Sequence, residues 1–230
     1  MNKIFEKHGI FISPENLAKL ELYMDLLLYW NEKMNLTAIT DKEEIIIKHF
    51  LDSLILLKFE GLEGKKLIDI GTGAGFPGLA LKIAQNSLSV TFMDSLKKRI
   101  DFLEEVISKL GLESVEAYHS RAEDLGHGDS FREVFDIATS RAVARLNILC
   151  EYALPYVKTG GIFVAYKGPE YEEELAEAIS AIEILGGKLE KVEKFKLEEH
   201  PRSLIFIRKL SQTPLKYPRK SNIITRKPII

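Results

Sequence analysis

Apolar positions along this chain repeat with one period at its start and another through its middle. Between Ser13 and about Lys33 they fall three and four residues apart, at Leu17, Leu20, Tyr23, Met24, Leu27 and Leu28, which places them on one face of an α-helix. Ser13-Pro14 supplies an N-cap followed by proline at the first helical position. A second helix, capped by Thr40 or Asp41, is expected through Ile45, Ile46, Phe50, Leu54 and Leu57 and ends before Gly61. From Lys65 onward the period changes: short apolar runs alternate with helix-period segments. Strands are predicted at 66–70, 89–93, 114–118, 135–139 and 161–166, and helices at 77–85, 96–110, 142–154 and 170–185. This alternation implies a mostly parallel sheet with helices on both faces. Two final strands, 189–197 and 203–209, are joined only by His200-Pro201-Arg202 and so must be antiparallel. The expected organisation is a helical extension over 1–60, an α/β domain over 61–210 with seven strands, one of them antiparallel, and a tail over 211–230.

The first predicted strand ends in an acid and runs into a glycine-rich turn, Leu67-Ile68-Asp69-Ile70-Gly71-Thr72-Gly73-Ala74-Gly75-Phe76-Pro77-Gly78. Glycines there permit a sharp turn and a close approach of backbone to ligand, and Pro77 suits the start of a helix. The spacing Gly73-Ala74-Gly75-Phe76-Pro77-Gly78 also satisfies the dinucleotide fingerprint, so the turn alone leaves two cofactors open. Asp69 favours S-adenosylmethionine, because a carboxylate beside the turn repels a pyrophosphate but tolerates a cationic aminoacyl end and a sulfonium. Asp94 ends the next apolar strand, 23 positions after Gly71, where a carboxylate can accept from ribose hydroxyls. Ser120-Arg121-Ala122-Glu123-Asp124-Leu125 follows a third strand, at the expected adenine edge. Five parallel-type strands with a terminal hairpin resemble the Rossmann-like fold of S-adenosylmethionine-dependent methyltransferases. The structural alternative is three ordinary strand-end loops of an α/β domain.

Composition changes little in this picture, but charge does. With 230 residues, 46% of them hydrophobic, the chain can bury a substantial core. One cysteine, Cys150, excludes an intramolecular disulfide, and no histidine or cysteine cluster suggests a metal. Neither a bilayer-spanning run nor a signal-like apolar N-terminus is present, so a cytoplasmic protein without a membrane partner is expected. The net charge of −2 is unevenly spread: Pro201 to Ile230 carries +8 and the remainder −10. A local cationic surface of this kind points to a polyanion; a solubilising tail is the alternative.

Several other polar residues are candidates for chemistry. His49, Asp52 and Ser53 share a helical face and could form a buried hydrogen-bond cluster, a substrate contact or a hydrolytic group. The last is weakest, because no G-x-S-x-G elbow surrounds Ser53. Asn35 either caps the first helix or sits at an active-site mouth. Thr139-Ser140-Arg141-Ala142 is expected to end the fourth strand and start a helix on the sheet edge that carries the glycine turn, which makes Arg141 a candidate for cofactor or target. Lys167 ends the fifth strand on the same edge, where it meets a phosphate or only solvent. Cys150 reads as a small apolar core residue.

Asp52-Ser53-Leu54, the glycine turn, Asp94-Ser95 with Lys97-Lys98-Arg99, Arg121-Ala122-Glu123-Asp124-Leu125, Ser140-Arg141-Ala142, Lys167-Gly168 and Tyr217-Pro218-Arg219-Lys220 occur in that order. In this combination the chain resembles the bacterial RsmG family, formerly called glucose-inhibited division protein B. The likeness runs over almost the whole chain, with Ser221-Asn222 standing where a glycine-containing turn is expected. The resemblance implies transfer of a methyl group from S-adenosylmethionine to N7 of a guanine in 16S ribosomal RNA, offered naked or as a small-subunit particle; a monomer is expected. It implies Gly71, Gly73, Phe76, Asp94, Ala122, Glu123 and Arg141 as cofactor contacts. On the substrate side stand Asn35, His49, Asp52, Ser53, Arg141, Lys167, Arg219 and Lys220. Guanine N7 carries a lone pair and no proton, so alignment rather than a dedicated acid or base is expected to supply the rate. Two other readings remain at this point: a small-molecule methyltransferase of the same fold, and a dinucleotide-binding regulator.

Overall fold

The protein is described here by a computed structural model covering residues 1–230. Seven strands, β1 (Lys66–Ile70), β2 (Ser89–Asp94), β3 (Val115–His119), β4 (Phe135–Arg141), β5 (Val157–Lys167), β6 (Gly187–Leu197) and β7 (His200–Lys209), form one sheet in the order β3-β2-β1-β4-β5-β7-β6. All neighbours are parallel except β7, which runs antiparallel to both β5 and β6. The hairpin turn is shorter than expected, since His200, Pro201 and Arg202 already belong to β7. Strand order reverses between β1 and β4, and in open α/β sheets ligands sit outside the carboxyl ends of the strands at such a switch point.

Alternation along the strands splits the interior into two cores. Leu67, Val164 and Phe206 face one side with Leu20, Tyr23 and Leu27 of α2 (Pro14–Met34) and Phe102, Leu103 and Val106 of α6 (Lys97–Leu110). Ile68, Phe163, Ala165 and Ile207 face the other, with Leu149 and Cys150 of α8 (Leu146–Ala153) and Ala178, Ala181 and Ile182 of α9 (Glu172–Ile184). Cys150 is wholly buried, as its apolar neighbours imply, and burial pushes its thiol up. The N-terminal helices therefore share a core with the sheet, including α1 (Asn2–Lys7), through Phe5.

The second predicted helix is present but not uniform. Asp41 is its cap, accepting from the Glu44 amide at 2.9 Å, and the run is α-helical over Lys42–Ile45 (α3), π-helical over Ile46–Leu51, α-helical over Asp52–Leu54 (α4) and 3-10 over Ile55–Lys58. The π turn, a feature frequent at functional sites, contains His49 and leads into Asp52. A second departure follows β4. The helix expected from residue 142 begins only at Leu146, because Ala142 adopts a left-handed conformation with φ of 57° and residues 142–145 form a loop. The short helices α5 (Gly78–Ala84), α7 (Ala122–Leu125) and α10 (Ser221–Arg226) lie around the carboxyl edge; of these three, only α5 was predicted.

Candidate active site

A cavity of about 330 Å³ opens at this edge, near the lower end of the range for small-molecule sites. Gly71 and Ile70 from the end of β1, Met93 and Asp94 from β2, and the loop Ser120 to Glu123 form its floor and one side. Val143 and Ala144 of the post-β4 loop, Ile148 and Tyr152 of α8, and Ser221 and Thr225 of α10 form the other. Gly71, Asp94, Ala122 and Glu123 thus meet around one space as expected. Gly73 is joined to it by its amide, which donates to Asp94 Oδ2 at 2.9 Å. The other Asp94 oxygen accepts from the Leu96 amide at 2.9 Å, and Arg99 approaches Oδ2 at 3.1 Å.

Asp69 lies beneath the turn rather than in the cavity. It is wholly buried, with Oδ2 accepting from Thr72 Oγ1 at 2.7 Å and from the Gly78 amide at 3.0 Å, and Oδ1 from Thr139 Oγ1 at 3.0 Å. Burial raises its pKa, while these three donors oppose the rise. The electrostatic expectation for Asp69 is corrected in its geometry: the first amide of α5, which a pyrophosphate would need, is already engaged by this carboxylate. The cavity itself carries two further acids, Asp94 and Glu123, against Arg121, whose side chain is mostly solvent-exposed. Both features oppose a dinucleotide and fit a phosphate-free cofactor with a cationic end. Gly71 adds a cradle that a side chain would fill, since a Cβ there would stand 2.5 Å from Val143 Cγ2.

A second pocket, about 500 Å³, lies on the far side of the post-β4 loop, lined by Ile39, His49, Arg141, Ala142, His200 and Arg202 among others. Arg141 lines this pocket and not the first cavity, while Phe76 lines neither and lies buried behind His49. Phe76 stacks on His49 with centroids 4.7 Å apart and on Tyr23 at 5.2 Å, while the Arg141 guanidinium stands 5.1 Å from its ring. Tyr23 also donates to the Ala74 carbonyl, so the N-terminal extension braces the glycine turn. Asp52, 1% exposed, accepts from Arg141 Nη1 at 2.9 Å and from Arg202 Nε and Nη2 at 2.9 and 2.8 Å. Arg202 was visible in sequence only as one tail cation, because its partner is 150 residues away.

The His49 ring accepts from Arg141 Nη2 at 3.4 Å through Nδ1, leaving Nε2–H to donate to Thr37 Oγ1 at 2.8 Å. Burial first, then the Arg141 charge, lowers its pKa to about 4. An unfolded histidine titrates near 6.5, so between those values the unfolded chain takes up a proton that the folded chain refuses. The stability tied to this group is complete above pH 6.5 and is lost as pH falls through about 4. We expect His49→Asn to remove about 2 kcal/mol of the stability difference between pH 7.5 and 4.5. Urea unfolding at the two pH values checks this, and an unchanged difference would refute it.

Several expected substrate contacts are committed elsewhere. Ser53 is buried, its hydroxyl donating to the His49 carbonyl and its own carbonyl accepting from Tyr166. Lys167 donates to the Ala144 carbonyl at 2.9 Å and to Glu174 at 2.6 Å, so it fixes the post-β4 loop rather than offering charge to a phosphate. Arg219 is bidentate on the buried Glu151. Asp52 is enclosed by its two arginines and shapes the pocket through them. Asn35 is the left-handed C-cap of α2, exposed, with φ of 50°. Of the eight tail cations, Arg202, Arg208, Lys209 and Arg219 are internally paired, with Lys209 wholly buried; Lys216, Lys220, Arg226 and Lys227 make no ion pair. No group of three or more histidine, cysteine or acidic side chains is placed to hold a metal, and no helix is long and apolar enough to cross a membrane.

Comparison with known proteins agrees with this geometry. Among solved structures, M. jannaschii TYW2 in complex with AdoMet aligns with a TM-score of 0.59 at 16% identity, covering 75% of this chain and 80% of that one. A SAM-dependent O-methyltransferase from Thermotoga maritima aligns at 0.54 with 18% identity, covering 82% and 72%. These likenesses establish the fold. In sequence, the Ribosomal RNA small subunit methyltransferase G of Thermoanaerobacter sp. (strain X514) is 50% identical over 224 residues, 96% of this chain and 93% of its own. That of Clostridium botulinum (strain Eklund 17B / Type B) is 48% identical over 232 residues, 100% and 97%. The family pattern described as GidB, rRNA small subunit methyltransferase G, matches residues 16–205, and the chain belongs to that family.

Proposed function

We propose that this protein transfers a methyl group from S-adenosylmethionine to N7 of a guanine in 16S ribosomal RNA. The observation that carries the reading is family membership over essentially the whole chain, and the two pockets on either side of the post-β4 loop supply a geometry for it. When bound, S-adenosylmethionine supplies an electrophilic methyl group on a sulfonium. Gly71 would present bare backbone at the cavity floor, Asp94, held by the Gly73 amide, would offer a carboxylate to ribose hydroxyls, and Ala122 with Glu123 would edge the adenine.

The second pocket receives the base. His49, held neutral and planar on Phe76, provides a flat wall, while Arg141 and Arg202, fixed by Asp52, provide donors for the base or its phosphate. N7 needs no deprotonation, and a neutral His49 with both nitrogens engaged is not asked to perform any. Preorganised alignment is the remaining source of rate. Since N7 lies on the Hoogsteen edge, the base must be splayed from its helix to enter. Lys220, Arg226 and Lys227, near the first cavity, hold backbone phosphates for that presentation.

The test is transfer of labelled methyl to 16S rRNA, naked and within the small subunit, followed by nucleoside analysis. Labelled 7-methylguanosine supports the reading; label in another nucleoside overturns N7, and label only in small molecules overturns RNA. Neutralising Lys220, Arg226 and Lys227 together is expected to reduce the salt dependence of RNA binding by about 0.7 per contact on single strands. An unchanged slope would remove these cations from the RNA interface.

A further inference from the structure

The C-terminal segment carries more than charge. Ser221 and Thr225 of α10 line the first cavity, opposite the loop Ser120 to Glu123. Ser221 Oγ lies 3.2 Å from the hydroxyl of Tyr152, so the pair bridges α8 and α10 along the cavity wall. Thr225 donates its hydroxyl to the Ser221 carbonyl at 2.9 Å, which holds the two side chains on one helical face. Ile224, which flanks that face one turn from Ser221, is wholly buried and seats α10 on the domain.

The approach to this helix is latched at several points. The Arg219 amide and Nε reach Glu151 Oε1 at 2.8 and 2.9 Å, and Nη2 reaches Oε2 at 2.7 Å, with Glu151 itself 1% exposed. His127 Nε2 donates to the Pro218 carbonyl at 2.7 Å. Arg132 Nη1 donates to both the Tyr217 and Gly126 carbonyls at 2.9 Å. A Cβ on Gly126 would lie 2.9 Å from the Pro218 ring, so the tail is seated against the end of α7. These ties span the segment that edges the cavity and the helix that backs it. A tail meant only to reach outward for RNA has no use for a buried bidentate ion pair at its root.

We propose that residues 220–230 are a wall of the cofactor site, with α10 closing the adenosine half of the cavity and the Arg219–Glu151 pair positioning it. This rests on the reading that the first cavity binds S-adenosylmethionine. Lining the space with a Tyr152–Ser221 hydroxyl pair gives donors and acceptors to the adenosine, and α10 removes its adenine from water. Arg219 then acts as a positioning residue for the cofactor, through the backbone it anchors, and does not bind phosphate.

The experiment is calorimetric binding of S-adenosylhomocysteine, without RNA, to three proteins: the full chain, a chain ending at Arg219, and a full-length variant carrying Ser221→Phe and Thr225→Trp. The truncation retains the latch and removes the wall; the double variant retains the wall and fills the cavity. Affinity should fall at least tenfold in both. Thermal melting reports whether the shortened chain folds, and should it not, the double variant decides alone. Binding within twofold of the full chain in the double variant overturns the inference while leaving the cofactor assignment intact. No binding by the full chain overturns the assignment beneath it and the inference with it.

Discussion

Replacing Asp52 with alanine is expected to destabilise the protein by about 3–5 kcal/mol and to abolish measurable methyl transfer to rRNA. The carboxylate stands between two guanidiniums, receiving 2.8 to 2.9 Å contacts from Arg202 and 2.9 Å from Arg141, and is almost fully enclosed. Burial opposes its charge, but the two arginines outweigh burial and hold the pKa below the ordinary carboxylate value. Removing it leaves two cations facing one another across a half-buried pocket, where they had shared one negative charge. Global stability of a domain is about 5–15 kcal/mol, so the loss takes a large fraction of the total. Asp52→Asn separates charge from shape: it keeps a carbonyl for one guanidinium but adds an NH₂ facing the other. Its stability loss should be smaller, about 1–3 kcal/mol, while its transfer activity remains far below the parent because Arg141 and Arg202 are no longer held together. Urea unfolding and single-turnover methyl transfer on both variants provide the check. Asp52→Ala within 1 kcal/mol of the parent would show that the arginines find other partners and that Asp52 does not organise the pocket.

The pieces of this site differ in how far sequence could reveal them, and the differences have physical causes. Strand ends and the glycine turn were legible because short apolar runs and backbone conformation are local properties: β1 falls where its apolar run predicts, and Gly71, Asp94, Ala122 and Glu123 converge because parallel strands deliver their carboxyl ends to one edge. Side-chain commitments were not legible, because they depend on partners distant in sequence. Lys167 reads as a free cation until Glu174 is brought to 2.6 Å, and Arg219 until Glu151, 68 residues earlier, is found buried beneath it. Half of the tail's charge disappears into such pairs, leaving four cations without an acidic partner. Nor did the apolar pattern reveal the break after β4, where an alanine adopts the left-handed conformation that glycine favours. That break separates the two pockets: Arg141 and Ala142 line one, Val143 and Ala144 the other.

Gly71→Ala is expected to weaken S-adenosylhomocysteine binding at least thirtyfold while changing stability by only about 1–2 kcal/mol, the cost of left-handed backbone for a residue with a Cβ. Gly71 has φ of 66°, and its added methyl would sit 2.5 Å from Val143 Cγ2 and 3.3 Å from Cγ1. Val143 is 40% exposed on a loop, so it gives way rather than breaking the fold, and the cost appears in the cavity it lines. Gly73→Ala is the natural control. Its φ is 61°, but nothing lies within 4 Å of an added Cβ, so it bears the conformational cost without the collision. Comparable stability loss with a much smaller loss of affinity is the expected result at Gly73. Adding Val143→Ala to Gly71→Ala should then recover affinity, because the clashing methyls are gone while the strained backbone remains. If the double variant binds no better than Gly71→Ala alone, backbone strain rather than the Val143 contact governs the floor of the cavity, and the post-β4 loop has no part in holding the cofactor.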